Sequence, residues 1–262
     1  MKVAVAQISC ALGDIAANVQ KIGIFCARAR TAGAELIVFP EMADIGYEMA
    51  VIRETAQPWT EGAVPRWREF ARELSLAIIG GVSEREADRI YNTQVFINAR
   101  GEILGRYRKS HLFTPIEEHT CFTAGAELQA VDSGVEGLRL GFSICYDLRF
   151  PEVYRQLARG QRANVFVISS AWPFPRVEHL RILATARAIE NQSYVLLSNR
   201  VGTDNGVPFC GNSAIIDPSG VVLAAASGEQ EEILVADVSP DILQSVRARM
   251  PVFTDCRNEL YR

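Results

Sequence analysis

The sequence predicts an α/β protein built from two packed sheets with helices outside them. Three observations lead there. Short apolar runs alternate with amphipathic stretches along the chain. About ten or more of the runs read as strands, too many for one short open sheet with helices on both faces. No linker rich in Pro, Gly or Ser, no charge block and no repeat interrupts the 262 residues, so one domain covers most of them.

Val3 to Ile8 opens the chain as a strand. Asp14 is placed to cap a helix running to about Thr31, with Ile15, Val19, Ile22 and Cys26 on one face, and Gly33 ends that unit. Leu36-Ile37-Val38-Phe39 has the uninterrupted apolar character of a strand buried on both faces. Val64 to Leu74 predicts a helix and Leu76 to Val82 a strand. Ile90 to Ile97 and Ile103 to Arg108 flank Asn98-Ala99-Arg100-Gly101, a turn composition that predicts a hairpin. Leu138 to Ile144 is the next strand, and Pro151 suits the first turn of a helix after it. Val165 to Ser169 and Tyr194 to Ser198 are strands flanking a helix from Val177 to Asn191. Asp217-Pro218-Ser219-Gly220 is a turn between two further strands. Pro251 to Arg262 has little periodicity and reads as an arm that docks on something.

Composition narrows the function classes. Apolar residues make up 48% and charged residues 22%, ordinary for a globular protein, which excludes disorder for most of the chain. The 27 Lys and Arg against 31 Asp and Glu leave a net charge of −4, without the basic footprint of a nucleic-acid binder. No apolar run approaches the ~18 residues of a membrane span. The first residues, Met1 to Gln7, read as a strand and not as a signal peptide. Cys10, Cys26, Cys121, Cys145, Cys210 and Cys256 are thinly spread with no CxxC, so reduced thiols and a cytoplasmic location are expected.

Three strand ends carry chemistry. One run leads through Pro40 into Glu41, one into Lys109 and one into Cys145. Rigid strands giving way to loops are where reactive groups are displayed. A thiol with a pKa near 8.5 is only about a few per cent thiolate at neutral pH. A lysine beside Cys145 would favour the thiolate or hold an oxyanion formed at a carbonyl. A glutamate would take the thiol proton, pass it to a leaving amine and then activate water. Each residue alone has a plainer reading: Cys145 a buried inert thiol, Glu41 a helix cap or surface charge, Lys109 part of the salt-bridged basic run Arg106, Arg108, Lys109.

Taken together, Phe39-Pro40-Glu41, Tyr107-Arg108-Lys109-Ser110-His111-Leu112 and Ile144-Cys145-Tyr146-Asp147-Leu148-Arg149-Phe150-Pro151-Glu152 resemble the three signature blocks of the nitrilase superfamily of carbon–nitrogen hydrolases. His179-Leu180-Arg181, Ala186 to Asn191 and Gly211 to Gly220 extend the likeness over nearly the whole chain. The resemblance implies a four-layer α-β-β-α sandwich over residues 1–250 and a Glu-Lys-Cys triad. Glu41 is then the general base and acid, Lys109 the oxyanion stabiliser and Cys145 the nucleophile, with the backbone N–H of Tyr146 completing the oxyanion hole. A second glutamate after the lysine is assigned to Glu118, with Glu117 as the alternative. Tyr47 and Trp172 match places that line the substrate cavity in relatives, although either also reads as a packed aromatic. The resemblance further implies a homodimer, with residues 251–262 as the arm that crosses to the partner. Cys256 stands where the family's Pro-x-x-x-Asp-Arg-Arg pattern has its first Arg.

The implied activity is hydrolysis of a small linear amide through a cysteine thioester, with release of ammonia and no cofactor. The block Cys145 to Phe150 looks closer to omega-amidases and deaminated-glutathione amidases than to true nitrilases, which points to the monoamide of a short dicarboxylic or 2-oxo acid. Nitrilase, N-carbamoyl amine hydrolase and acyl transferase activities would use the same residues. Arg149 reads either as a substrate-carboxylate partner or as part of a structural ion pair. His111, His119 and Cys121 match no zinc spacing, and no metal is expected. Two other classes stay in view: a catalytically silent interaction protein, which would lack a triad residue, and a thiol redox sensor, which would form a reversible disulfide.

Overall fold

The structure, a computed structural model, describes residues 1–260. The chain starts with β1 (Lys2–Gln7), α1 (Ile15–Thr31) and β2 (Leu36–Val38). Then come α2 (Met49–Thr55), α3 (Ala63–Leu74), β3 (Ala77–Glu86), β4 (Arg89–Ile97) and β5 (Ile103–Arg108). A loop with 3-10 turns at Thr114–Ile116 and Glu118–Thr120 leads to β6 (Ala130–Asp132) and β7 (Arg139–Ile144). A 3-10 turn, Cys145–Arg149, precedes α4 (Pro151–Arg159), β8 (Val165–Ser170), α5 (Val177–Asn191) and β9 (Tyr194–Asn199). The small hairpin β10 (Thr203–Asp204) and β11 (Val207–Pro208) is followed by β12 (Ala214–Ile216), β13 (Val222–Ala225) and β14 (Glu232–Asp237). Helices α6 (Pro240–Arg249) and α7 (Val252–Asp255) and a 3-10 turn at Asn258–Leu260 are the last described elements.

Two six-stranded sheets result, ordered β14-β1-β2-β3-β4-β5 and β13-β12-β9-β8-β7-β6. At the centre of each, three neighbouring strands run parallel: β1, β2 and β3 in one, β7, β8 and β9 in the other. Their apolar runs are continuous because both faces are covered. Val3, Val5, Leu36 and Val38 join the core between the sheets, with Leu140, Phe142 and Ile144 from the second. Their alternates Ala4, Ala6 and Ile37 belong to a second core with Ile22, Phe25 and Cys26 of α1 and Trp67 and Phe70 of α3. A one-residue slip of β1 would exchange its valines for alanines across the whole interface, so the side-chain sizes pin the register. On the far side, α4 and α5 pack on β7 and β9. The layers are therefore helix, sheet, sheet and helix, as expected.

The predicted elements form with small changes at their ends. Asp14 caps α1 by accepting from Ala17 N at 3.0 Å. β3 runs past Val82 to Glu86, because β4 pairs antiparallel along its full length. Elements missing from the sequence reading are α2, β6, the β10–β11 hairpin, β14, α6 and α7. Their lengths or pairings explain this. β14 is recruited to the sheet edge by antiparallel pairing with β1. α6 did carry a readable start, the N-cap Ser239 followed by Pro240. Residues 252–256 lie near α4 and α6. The Arg155 and Arg247 guanidiniums stand 5.6 and 5.4 Å from the Phe253 ring centroid, and Arg159 Nη1 is 3.1 Å from Cys256 Sγ. The last two residues of the predicted arm, Tyr261 and Arg262, fall outside the described residues. No helix among the described residues is long and apolar enough to cross a membrane.

Candidate active site

Glu41 follows β2 in a loop clipped to β3. Phe39 N donates to Ile79 O at 2.7 Å, Gly81 N to Pro40 O at 2.9 Å and Ala43 N to Gly81 O at 2.8 Å. Gly81 is required by this approach: a Cβ there would stand 2.6 Å from Glu41 Cα. Lys109 follows β5, its N–H donating to Asn92 O at 2.8 Å and its carbonyl accepting from Gly125 N at 2.9 Å. Glu118 sits on the second 3-10 turn, fully buried, whereas Glu117 is exposed.

These side chains meet. Lys109 Nζ lies 2.9 Å from Glu41 Oε1 and 2.8 Å from Glu118 Oε1, with all three buried. Glu41 also accepts from Asn92 Nδ2 at 2.6 Å and from Ala171 N at 2.8 Å. Glu118 accepts from the Tyr47 hydroxyl and from Phe113 N. Two of the three ammonium N–H bonds of Lys109 are thus occupied by carboxylates, which leaves one for a ligand.

Cys145 is the first residue beyond β7, with φ of 44°, in the left-handed region that a non-glycine residue enters only when its surroundings force it there. Asp147 helps to fix the turn. Its Oδ2 accepts from Ile144 N at 2.9 Å and from the Tyr107 hydroxyl at 2.7 Å, while Oδ1 accepts from His111 N at 3.1 Å. Asp147 therefore ties the Cys145 turn to the segment carrying Lys109. From α5, Arg187 Nη2 donates to Leu148 O at 2.8 Å and closes the turn from the other side.

Burial and mutual charge set the protonation states. Burial works against the Lys109 ammonium, but the Glu118 and Glu41 carboxylates overcome it and hold Lys109 protonated well above the usual lysine range. Burial raises Glu41; Lys109 pulls it back and Glu118 pushes it further up. Burial and the Glu41 carboxylate raise the Cys145 thiol, while Lys109, the Ser170 hydroxyl and the Ala171 N–H lower it. Burial thus favours the neutral thiol at rest, within electrostatic reach of Glu41 and Lys109.

The sulfur opens onto a cavity of ≈ 190 Å³ whose lining includes Tyr47, Phe113, Tyr146, Trp172 and Phe209. Trp172 is fixed by its N–H to Asn199 Oδ1 at 2.7 Å and by its indole N–H to Arg176 O at 2.9 Å. Arg149 and Arg176 also reach the cavity. The Arg149 guanidinium lies 4.7 Å from the Trp172 ring centroid and 3.3 Å from His179 Nδ1. Neither arginine pairs with a carboxylate among the described residues, so the ion pair considered for Arg149 is not formed. Asp204 of the β10–β11 hairpin lines the cavity too, held by buried Arg200 at 3.0 Å and accepting from Tyr47 N at 2.7 Å.

Glu41, Lys109 and Glu118 are in direct contact, Cys145 lies within their electrostatic reach, and Tyr47, Tyr146 and Trp172 line the same cavity. Sequence reasoning missed Asn92, Asp147, Asp204 and Arg176. Asn92 had a signal: Asn92-Thr93-Gln94 interrupts an otherwise apolar buried strand, and buried polar groups need partners.

Comparison with known proteins agrees with this geometry. A sequence model described as Carbon-nitrogen hydrolase matches residues 2–248. The 2-oxoglutaramate amidase of Bacillus subtilis is 35% identical over 257 residues, covering 97% of each chain. The omega-amidase YafV of Yersinia enterocolitica is 39% identical over 223 residues, covering 84% of each. A solved variant of the amidase from Nesterenkonia sp. AN1, with acrylamide added at the active site cysteine, superposes with a TM-score of 0.84 at 28% identity, over 96% of this chain and 98% of that one. With the blocks around Glu41, Lys109 and Cys145 inside the matched span and the sandwich fold around them, the chain belongs to the carbon–nitrogen hydrolase family of the nitrilase superfamily.

Proposed function

We propose that this enzyme hydrolyses the terminal amide of a short carboxylic acid, an omega-amidase-type reaction on a dicarboxylic or 2-oxo acid monoamide. The observation that carries the substrate class is the cavity itself. It is small, walled by aromatics, and holds two guanidiniums, those of Arg149 and Arg176, that form no ion pair with a carboxylate among the described residues. An amide with a free carboxylate at its far end supplies the missing anion, and guanidinium is well matched to carboxylate. The names of the Bacillus and Yersinia relatives support the same class.

The contacts support the following residue roles. Glu41 takes the Cys145 Sγ proton as sulfur bonds to the amide carbon, and the carbonyl electron pair moves to oxygen. Lys109 Nζ, through its remaining N–H, and the Tyr146 N–H hold that oxyanion. The carbon–nitrogen bond breaks, Glu41 returns the proton to nitrogen, and ammonia leaves a thioester. Water then adds with Glu41 as base, the carbon–sulfur bond breaks, and the proton returns to sulfur. Glu118 keeps Lys109 charged and aimed, and Tyr47 and Trp172 shape the cavity. We propose further that the enzyme works in the cytoplasm, with its thiols reduced, and as a homodimer to which residues 251–262 contribute an arm.

The test is ammonia release from a panel of omega-monoamides of dicarboxylic and 2-oxo acids, neutral amides of equal length, N-carbamoyl amines and nitriles. Acids with a terminal amide should be preferred at least about tenfold in kcat/KM over the neutral amides. Equal turnover of neutral amides, or preference for a nitrile, contradicts the reading.

A further inference from the structure

One buried polar group beside the nucleophile has no occupation in the resting protein. Ser170, the last residue of β8, is fully buried; its Oγ completes no hydrogen bond among the described residues, yet it stands close enough to the Cys145 sulfur to favour that sulfur's charged form. The residues around it are tied down. Ser169 Oγ donates to Phe39 O at 2.8 Å, Ala171 N donates to Glu41 Oε2 at 2.8 Å, and Ser170 O accepts from Arg200 N at 3.2 Å. In the parallel pair β7–β8, Ile144 is level with Ser169, so Cys145 and Ser170 leave adjacent strands at the same height.

We infer that the Ser170 hydroxyl is a built-in donor to the Cys145 sulfur, idle against the resting thiol and engaged whenever that sulfur carries negative charge. A buried donor without an acceptor destabilises the state that leaves it unpaired. A thiolate, a far better acceptor than a thiol, relieves that cost, so the hydroxyl favours the charged form selectively. Selective stabilisation of that kind speeds a reaction, whereas a bond made equally in both states does not. The other ionisable groups near the sulfur leave room for such a donor. The Glu41 carboxylate opposes the thiolate, and the positive charge of Lys109 is shared between two carboxylates. The Tyr47 and Tyr154 phenols are both held neutral by burial, and the Tyr47 hydroxyl donates its hydrogen bond to Glu118. Sulfur carries negative charge twice in the cycle, on attack and again when the carbon–sulfur bond of the thioester breaks. In the thioester itself sulfur is neutral and the hydroxyl is idle once more.

The inference rests on Cys145 being the nucleophile, and the experiment separates the two ideas. Ser170→Thr keeps the hydroxyl, Ser170→Val has the same shape without it, and Ser170→Ala removes it with the least bulk. The rate of iodoacetamide alkylation is read on the Cys145 peptide across the neutral and mildly alkaline range, alongside kcat and KM. The Ala and Val variants should alkylate about tenfold more slowly than wild type at neutral pH, with the rate–pH curve displaced to higher pH. Their kcat should fall by a similar factor with KM within about twofold, while Ser170→Thr stays near wild type. Alkylation curves for Ala and Val that superpose on wild type overturn the inference, as does a Thr variant that falls with Val. A purely structural role would lower the unfolding temperature and leave the alkylation curve in place. Failure of the underlying reading shows elsewhere, as no acyl adduct on Cys145 in wild type exposed to amide.

Discussion

Lys109 is buried between two carboxylates, and this arrangement decides the charge of the whole centre. One cation against two anions is short of neutral, so each carboxylate needs further donors, and each has two. Removing a partner from such a cluster leaves a buried charge uncompensated, which is why its members are not interchangeable. Glu118→Gln should lower kcat about 100-fold with a smaller change in KM, because Lys109 loses its anchor while the cavity keeps its shape. Steady-state kinetics on the preferred amide checks this. Asp44, three positions from Glu41, makes a different point. Burial pushes its pKa up to about 6, eased by hydrogen bonds from Ser83, and its Oδ1 has no hydrogen-bond partner among the described residues. The folded state therefore holds a proton that the unfolded chain releases earlier. The stability this carries is full below the ordinary aspartate range and is lost as pH rises through about 6. Asp44→Asn should raise stability near pH 7.5 by about 1–3 kcal/mol and flatten the slope between about pH 4 and 6. Urea unfolding at several pH values measures both effects.

At the scale of elements, the site is a product of strand ends meeting across two sheets. β2 and β5 deliver Glu41 and Lys109 from one sheet, and β7 and β8 deliver Cys145 and Ala171 from the other. Gly81 on β3 backs the Glu41 loop so closely that a methyl group has no room. Gly81→Ala should shift Glu41 and cost at least about tenfold in kcat, together with a few degrees in Tm, since near-attack geometry tolerates little displacement. Activity and thermal melts together test it. The strands that deliver these residues were readable in the sequence because burial on both faces makes them uniformly apolar. The choice of Glu118, with Glu117 as the alternative, rests only on the likeness of motifs, since two adjacent loop acids look alike in composition; it is Glu118 that is buried against Lys109. What was not readable has a physical reason. Asn92 and Asp147 matter through partners 51 and 36 positions away, Glu41 and His111, which local pattern does not encode. The two-residue strands of the β10–β11 hairpin show no strand-like periodicity; the Arg200–Asp204 ion pair, the Tyr47 N–H to Asp204 and the Phe174 N–H to Pro208 O tie it to the site.

For the whole molecule, the sandwich buries Glu41, Lys109 and Glu118 and leaves an access cavity beside Cys145 at one end of the parallel strands. Its outer surface carries a second message. Ile182 and Ile189 of α5 and Val221 to Leu223 at β13 are exposed apolar residues around the far side of the second sheet. With the arm beside α4, they are the face we propose for the partner subunit. Light scattering at micromolar concentration should give a dimer or larger, and the double change Ile182→Asp, Ile189→Asp should shift it toward monomer; a clean wild-type monomer would remove the dimer from the account. The central claim concerns the sulfur. Wild-type enzyme quenched during turnover of an omega-monoamide, digested and weighed by mass spectrometry, should carry the acyl group on the peptide containing Cys145, and Cys145→Ala should show neither adduct nor ammonia release. Turnover retained by Cys145→Ala, or an adduct found only at another residue, would contradict it.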